Sequence, residues 1–135
     1  VTLSYLLDTN VLSRLMREPH GVTAEHLAEV GDDSVCTSIV VASELRFGAV
    51  RRGSARLTET VERILTAIPV LPLDAPTDEH YANIRAHLER VGTPVGPNDL
   101  LIAAHTRALG LVLVTENAPE FLRVPELVVE NWISR

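Results

Sequence analysis

The chain alternates between short apolar runs and stretches in which apolar residues recur every three or four positions. Runs at residues 3–8, 35–40, 70–73 and 111–115 predict buried strands, and Val128 with Val129 suggests one more. Pro72 cannot donate to a ladder, which moves the third strand toward a sheet edge. After Asp8-Thr9-Asn10, the residues Val11, Leu12, Leu15 and Met16 form one helical stripe, ended by Pro19 and Gly21. A short helix over 22–30 follows, then one over roughly 41–51 that Gly53-Ser54 breaks. Leu57, Val61, Ile64, Leu65 and Ile68 make the next stripe, and Tyr81, Ile84, Leu88 and Val91 another. Pro97 suits the first position of a further helix, and Gly110 its end. Strands alternating with helices predict an α/β fold with a mostly parallel sheet, in one domain over residues 1–135.

Composition narrows the chemistry. The hydrophobic share of 46% is enough for a core, and the single cysteine, Cys36, allows no internal disulfide. A reducing cytoplasm is the expected compartment. The apolar run before Asp8 is too short to span a membrane. With 18 acids against 12 basic residues the net charge is −6, which argues against coating nucleic acid by bulk charge. All 12 basic residues are arginine, so a P-loop lysine, a Schiff-base lysine and a lysine base are excluded.

Ligands of parallel sheets gather at the C-terminal ends of the strands. Asp8 ends the first strand, and Thr115 ends a later one, with Glu116, Asn117 and Glu120 just beyond. Asp99 falls in the first turn of its helix. Taken singly, Asp8 reads as an N-cap and Asp99 as a first-turn acid. Glu44 shares a helical stripe with Val41, Leu45 and Gly48, where a carboxylate is costly unless paired or metal-bound. An ion pair with Arg14 or Arg51 is the competing explanation. Three acids brought together would need a cation, and hard oxygen donors suit Mg²⁺ or Mn²⁺. One or two such ions would serve hydrolysis of a phosphodiester. The five histidines show no ligand spacing and read as surface or packing residues. Arg46, Arg51, Arg52 and Arg56 lie in a stretch without an acid between Glu44 and Glu59, a candidate phosphate-contacting strip. The stripe from Leu57 to Ile68 reads as core, or as a dimer face if its outer side is apolar too.

Four segments in order, Leu7-Asp8-Thr9-Asn10-Val11-Leu12-Ser13, Ala42-Ser43-Glu44-Leu45-Arg46-Phe47-Gly48, Gly96-Pro97-Asn98-Asp99-Leu100-Leu101-Ile102-Ala103-Ala104-His105 and Val114-Thr115-Glu116-Asn117, carry a resemblance. With Phe121 and Val129-Glu130-Asn131-Trp132 after them, they resemble PIN domains, specifically the VapC-type toxins of bacterial toxin–antitoxin pairs. The resemblance implies a three-layer α/β/α fold and Mg²⁺- or Mn²⁺-dependent endonucleolytic cleavage of RNA. It places Asp8, Glu44 and Asp99 at the acidic metal positions, Asp8 and Asp99 as direct ligands and Glu44 orienting the attacking water. Thr9, Asn10 and Thr115 become candidate substrate contacts. Where many members carry an aspartate this chain has Asn117, so Glu120 or Glu116 would supply the fourth charge. A VapB-type antitoxin and a homodimer are the implied partners.

Two other readings are open to the sequence. One is a PIN-like module that binds RNA or protein without catalysis; the three acids argue against it. The other is a phosphatase of the haloacid-dehalogenase type, which needs a second aspartate where Asn10 stands and a lysine that this chain lacks.

Overall fold

The computed structural model describes residues 2–134. The elements run in the order β1 (Tyr5–Leu7), α1 (Thr9–Arg17), α2 (Val22–Val30), β2 (Val35–Ser38), α3 (Ile39–Arg52), α4 (Ala55–Ala67) and β3 (Val70–Leu71). They continue with α5 (Thr77–Arg90), α6 (Pro97–Leu109), β4 (Val112–Val114), α7 (Ala118–Phe121) and β5 (Val128–Glu130). All pairings are parallel, in the order β3-β2-β1-β4-β5. Leu6 stands between Cys36 and Leu113, and all three are fully buried. A strand covered on both faces reads as a continuous apolar run, which is why these segments are legible.

Right-handed crossovers decide the layers. The chain steps from β1 to β2 to β3 in one direction, with α1, α2, α3 and α4 packed together. It then crosses back to β4 through α5 and α6, which pack on each other, and steps outward to β5. The direction of winding therefore reverses between β1 and β4. A crevice opens at such a reversal, beyond the carboxyl ends of the two strands.

Local chemistry sets the boundaries. The strand expected at 35–40 stops at Ser38, because its hydroxyl caps α3 by accepting from Val40 N at 3.1 Å. The strand expected at 3–8 stops at Leu7, and Asp8 becomes the cap of α1. Gly53 ends α3 with φ of 60°, a conformation that favours glycine. Ser54 then caps α4 by accepting from Leu57 N at 3.1 Å. Val91 lies past the end of α5 and is exposed rather than packed. A 3₁₀ turn at Asp32–Ser34 and the four-residue α7 were not predicted; neither has room for a periodic pattern. No helix among the described residues is long and apolar enough to cross a membrane.

Candidate active site

Asp8 is the first residue past β1, and its N–H extends the ladder to Val114 O at 2.9 Å. That bond turns its side chain into the crevice, where only 4% of the residue is exposed. One carboxylate oxygen accepts from Thr9 N at 2.7 Å and the other from the Thr115 hydroxyl at 2.8 Å. Thr115 Oγ1 in turn accepts from Asn117 N at 3.0 Å, so the loop after β4 is tied to the strand beside it.

Three further elements bring their polar groups to the same place. Glu44 comes from α3, half-buried at the margin of the apolar stripe, and accepts from the Thr9 hydroxyl and from Asn98 Nδ2 at 3.3 Å. Asp99 comes from the first turn of α6. Asn117 precedes α7 and donates to Glu120 Oε2 at 2.5 Å. Asp8, Glu44, Asp99 and Asn117 line one cavity of about 420 Å³, in which Arg17 is the one basic side chain. The ion pair of Glu44 with Arg14 or Arg51 does not form. Arg14 instead forks onto Glu116, at 3.1 Å for its second bond, and reaches Glu18 at 2.7 Å.

The electrostatics show how crowded the acids are. Burial raises the pKa of Asp8; its hydrogen bonds from Thr115 and Thr9 oppose that, while the charges of Glu44 and Glu120 add to it. Asp99 is pushed up to about 7 by burial first, then by Asp8, Glu120 and Glu44, with a hydrogen bond shared with Glu120 adding to the rise. Four carboxylates from four elements thus feel one another. Of the two acids expected to offer a fourth charge, Glu120 reaches Asp99 through a hydrogen bond, whereas Glu116 is held by Arg14.

The candidate substrate contacts divide. The hydroxyls of Thr9 and Thr115 are occupied holding Glu44 and Asp8. Asn10 lines the cavity and its side-chain oxygen accepts from Glu116 N at 3.1 Å. Arg46 is ion-paired with Glu62, away from the cavity, and Arg51 is exposed outside it. Ser13 and Arg17 were missed, though both line the cavity beside Asn10. Their spacing puts them on one side of α1, opposite Val11 and Leu12, and that polar stripe was the available signal. None of the five histidines lines the cavity; His105 is buried, with Nδ1 2.8 Å from Ser38 Oγ.

A family model described as PIN domain matches residues 5–127, nearly the whole chain. The chain belongs to the PIN domain family. Its relatives within that family include VapC proteins. It is 37% identical over 131 residues to the tRNA(fMet)-specific endonuclease VapC of Shigella flexneri, covering 96% of this chain and 98% of the other. It is 35% identical over 133 residues to Ribonuclease VapC2 of Haemophilus influenzae, covering 97% and 99%. Among solved structures, VapBC2 from Rickettsia felis, bound to a DNA fragment from its promoter, superposes with a TM-score of 0.88 at 28% identity, covering 98% of this chain and 99% of the other. DNA-bound VapBC from Salmonella typhimurium gives 0.88 at 35% identity, covering 96% and 98%. The PIN fold expected from the sequence is therefore the fold observed.

Proposed function

We propose that this PIN domain is a Mg²⁺- or Mn²⁺-dependent endoribonuclease and the toxin of a VapBC-type pair. The observation that carries the reading is the convergence of Asp8, Glu44 and Asp99 on one cavity at the reversal of the sheet, with Glu120 hydrogen-bonded to Asp99 beside it. Such a set fits a hard divalent cation: the donors are oxygens, and no imidazole or thiol lines the cavity. Among the described residues no three acid, histidine or cysteine side chains close into a ready-made cage. An open cluster suits Mg²⁺, which keeps several waters and takes one or two carboxylates.

Asp8 and Asp99 would hold one or two ions, with Glu44 beside them orienting the attacking water. When bound, the cation supplies Lewis-acid stabilisation of charge on the phosphodiester. Thr9 and Thr115 act through the carboxylates they hold, as positioning residues. Asn117 is a neutral oxygen donor that keeps Glu120 turned toward Asp99.

The name of the Shigella relative supports transfer RNA as the substrate class, with initiator tRNA the first to test. Cutting it would arrest translation and growth. The VapBC complexes among the structural relatives support a VapB-type antitoxin whose tail would cover the acids with a basic side chain. RNA as target and a free, buried Cys36 suit the cytoplasm. A homodimer finds its support on α3, where Ile39, Phe47 and Val50 are 43%, 62% and 77% exposed along one side. The stripe from Leu57 to Ile68 faces the core, as expected, and its outer side carries Glu59, Glu62 and Arg63, so it offers no second apolar face for a dimer.

The test is cleavage of unfractionated tRNA by the purified protein, with the new RNA ends sequenced. Cuts should need Mg²⁺ or Mn²⁺, stop in EDTA, and vanish in Asp8→Asn with the circular dichroism unchanged. Absence of any metal-dependent cut would leave the non-catalytic binding module as the function.

A further inference from the structure

The acid cavity runs into a larger trough of about 670 Å³, and the two share Thr9, Ser13, Arg17 and Glu44. Its walls come from α1, α3 and α4. Arg17 at the end of α1, Arg52 at the end of α3 and Arg56 in the first turn of α4 stand along it, all exposed. The four ion pairs among the described residues use Arg14, Arg46 and Arg85, and none of the trough arginines. On a chain of net charge −6, three cations outside any ion pair stand along one trough whose one lining acid is Glu44, at the junction with the acid cavity, and together they make a local basic strip suited to an anion.

Gly48 points to the same occupant. It lies within α3 and lines the trough, and a Cβ built there would meet nothing within 4 Å. Glycine weakens a helix interior, and no neighbour within the chain requires it here. Its missing side chain keeps the trough open. The remaining lining mixes apolar side chains such as Met16, Leu45 and Leu57 with hydroxyl residues such as Ser13, Ser54 and Thr60, and includes no aromatic ring.

We infer that this trough carries the single-stranded RNA backbone on one side of the scissile bond, with Arg17, Arg52 and Arg56 each contacting a phosphate. The inference rests on the ribonuclease reading above. Of the basic strip expected from the sequence it keeps Arg52 and Arg56, drops Arg46 and Arg51, and adds Arg17. Phosphate contacts set register, and without aromatic platforms the trough does not read bases. Base selection belongs to other surfaces.

The experiment is a salt series of unfractionated tRNA binding in EDTA, comparing the parent with a variant carrying Arg17→Gln, Arg52→Gln and Arg56→Gln together. Each lost contact should flatten the log–log salt slope by about 0.7, so about 2 in all, weakening binding roughly 50-fold at 0.15 M salt. Arg51→Gln with Arg90→Gln, two exposed arginines outside the trough, should leave the slope nearly as it was. Gly48→Leu should weaken binding by bulk alone, with the slope unchanged. Parent-like binding by the triple variant, or by Gly48→Leu, overturns the inference. So does intact RNA binding with lost capture of a VapB-type tail peptide, which would make the trough a protein groove. A parent that cuts tRNA in Mg²⁺ keeps the ribonuclease reading even then; one that neither binds nor cuts it loses both.

Discussion

Thr115 donates its hydroxyl to Asp8 Oδ2 at 2.8 Å, joining the residue just past β4 to the residue just past β1. The bond crosses the point where the sheet reverses direction, and both partners are buried. It lowers the cost of keeping Asp8 ionised, against the burial that raises its pKa. Thr115→Val keeps the shape and removes the donor. The expected result is roughly 10- to 100-fold weaker Mn²⁺ binding, the usual effect of losing the partner of a metal ligand. Calorimetric titration would measure it, and Thr115→Ser should restore most of the affinity. Undiminished Mn²⁺ binding by the valine variant would show that Asp8 needs no such support.

Asp99 makes a pH prediction. Its carboxyl sits at about 7 in the folded chain, above its ordinary value of 3.8. A raised acid binds its proton more tightly when folded, so it favours folding at low pH and opposes it as pH climbs from about 4 through 7. In EDTA, Asp99→Asn should therefore gain stability over the parent as pH rises from 5 to 8. The full shift would correspond to about 4 kcal/mol. Asp99 is only half-buried, and solvent screening brings the expected gain to the order of 1–2 kcal/mol. Urea melts at both pH values decide it; a constant difference between the two proteins would contradict the crowding of the acids.

These two residues also mark what the sequence could reveal. The apolar runs of β1, β2 and β4 were legible because both faces of those strands are covered. Asp8 and Asp99 were visible as residues at element starts, but neither announced its role, since caps and first-turn acids are common. Glu44 stood out by lying beside an apolar stripe. The fourth charge was not legible, because Glu116 and Glu120 are equivalent on paper. What separates them is Arg14, more than a hundred positions away in sequence from Glu116, which no local pattern could connect. Arg46 misled for the same reason, since Glu62 lies on the next helix.

Glu120 and Glu116 can be told apart by parallel substitution. Glu120→Gln removes one of the charges that raise Asp99, so the Asp99 pKa should fall. It should also slow cleavage and weaken metal binding, by roughly 10- to 100-fold for a group adjoining the ligands. Glu116→Gln breaks only the contact with Arg14 and should leave cleavage in saturating Mg²⁺ unchanged. Single-turnover rates across a Mg²⁺ series would test both, and equal losses would place Glu116 in the site.

The exposed side of α3 predicts an oligomeric change. Phe47→Glu with Val50→Glu places two charges on its most exposed apolar positions, 62% and 77% accessible. Such positions touch little of the core, so the fold should persist. Sedimentation should show a dimeric parent and a monomeric variant. A variant that stays dimeric would move the interface elsewhere.

Gly48 gives the last prediction, in which stability and binding part company. Gly48→Ala adds a Cβ where nothing lies within 4 Å. Replacing a helix-interior glycine by alanine should stabilise the fold by about 0.5–1 kcal/mol, a few degrees in Tm. Were the position chosen for stability, alanine would be the better residue. A methyl group is small against the trough, so Gly48→Ala should still bind tRNA close to parent affinity. Gly48→Leu should melt no lower than the parent yet bind tRNA more weakly. Calorimetric melting beside the binding assay separates the two effects. If Gly48→Leu lost stability and binding together, its weaker binding would reflect a damaged helix rather than a filled trough.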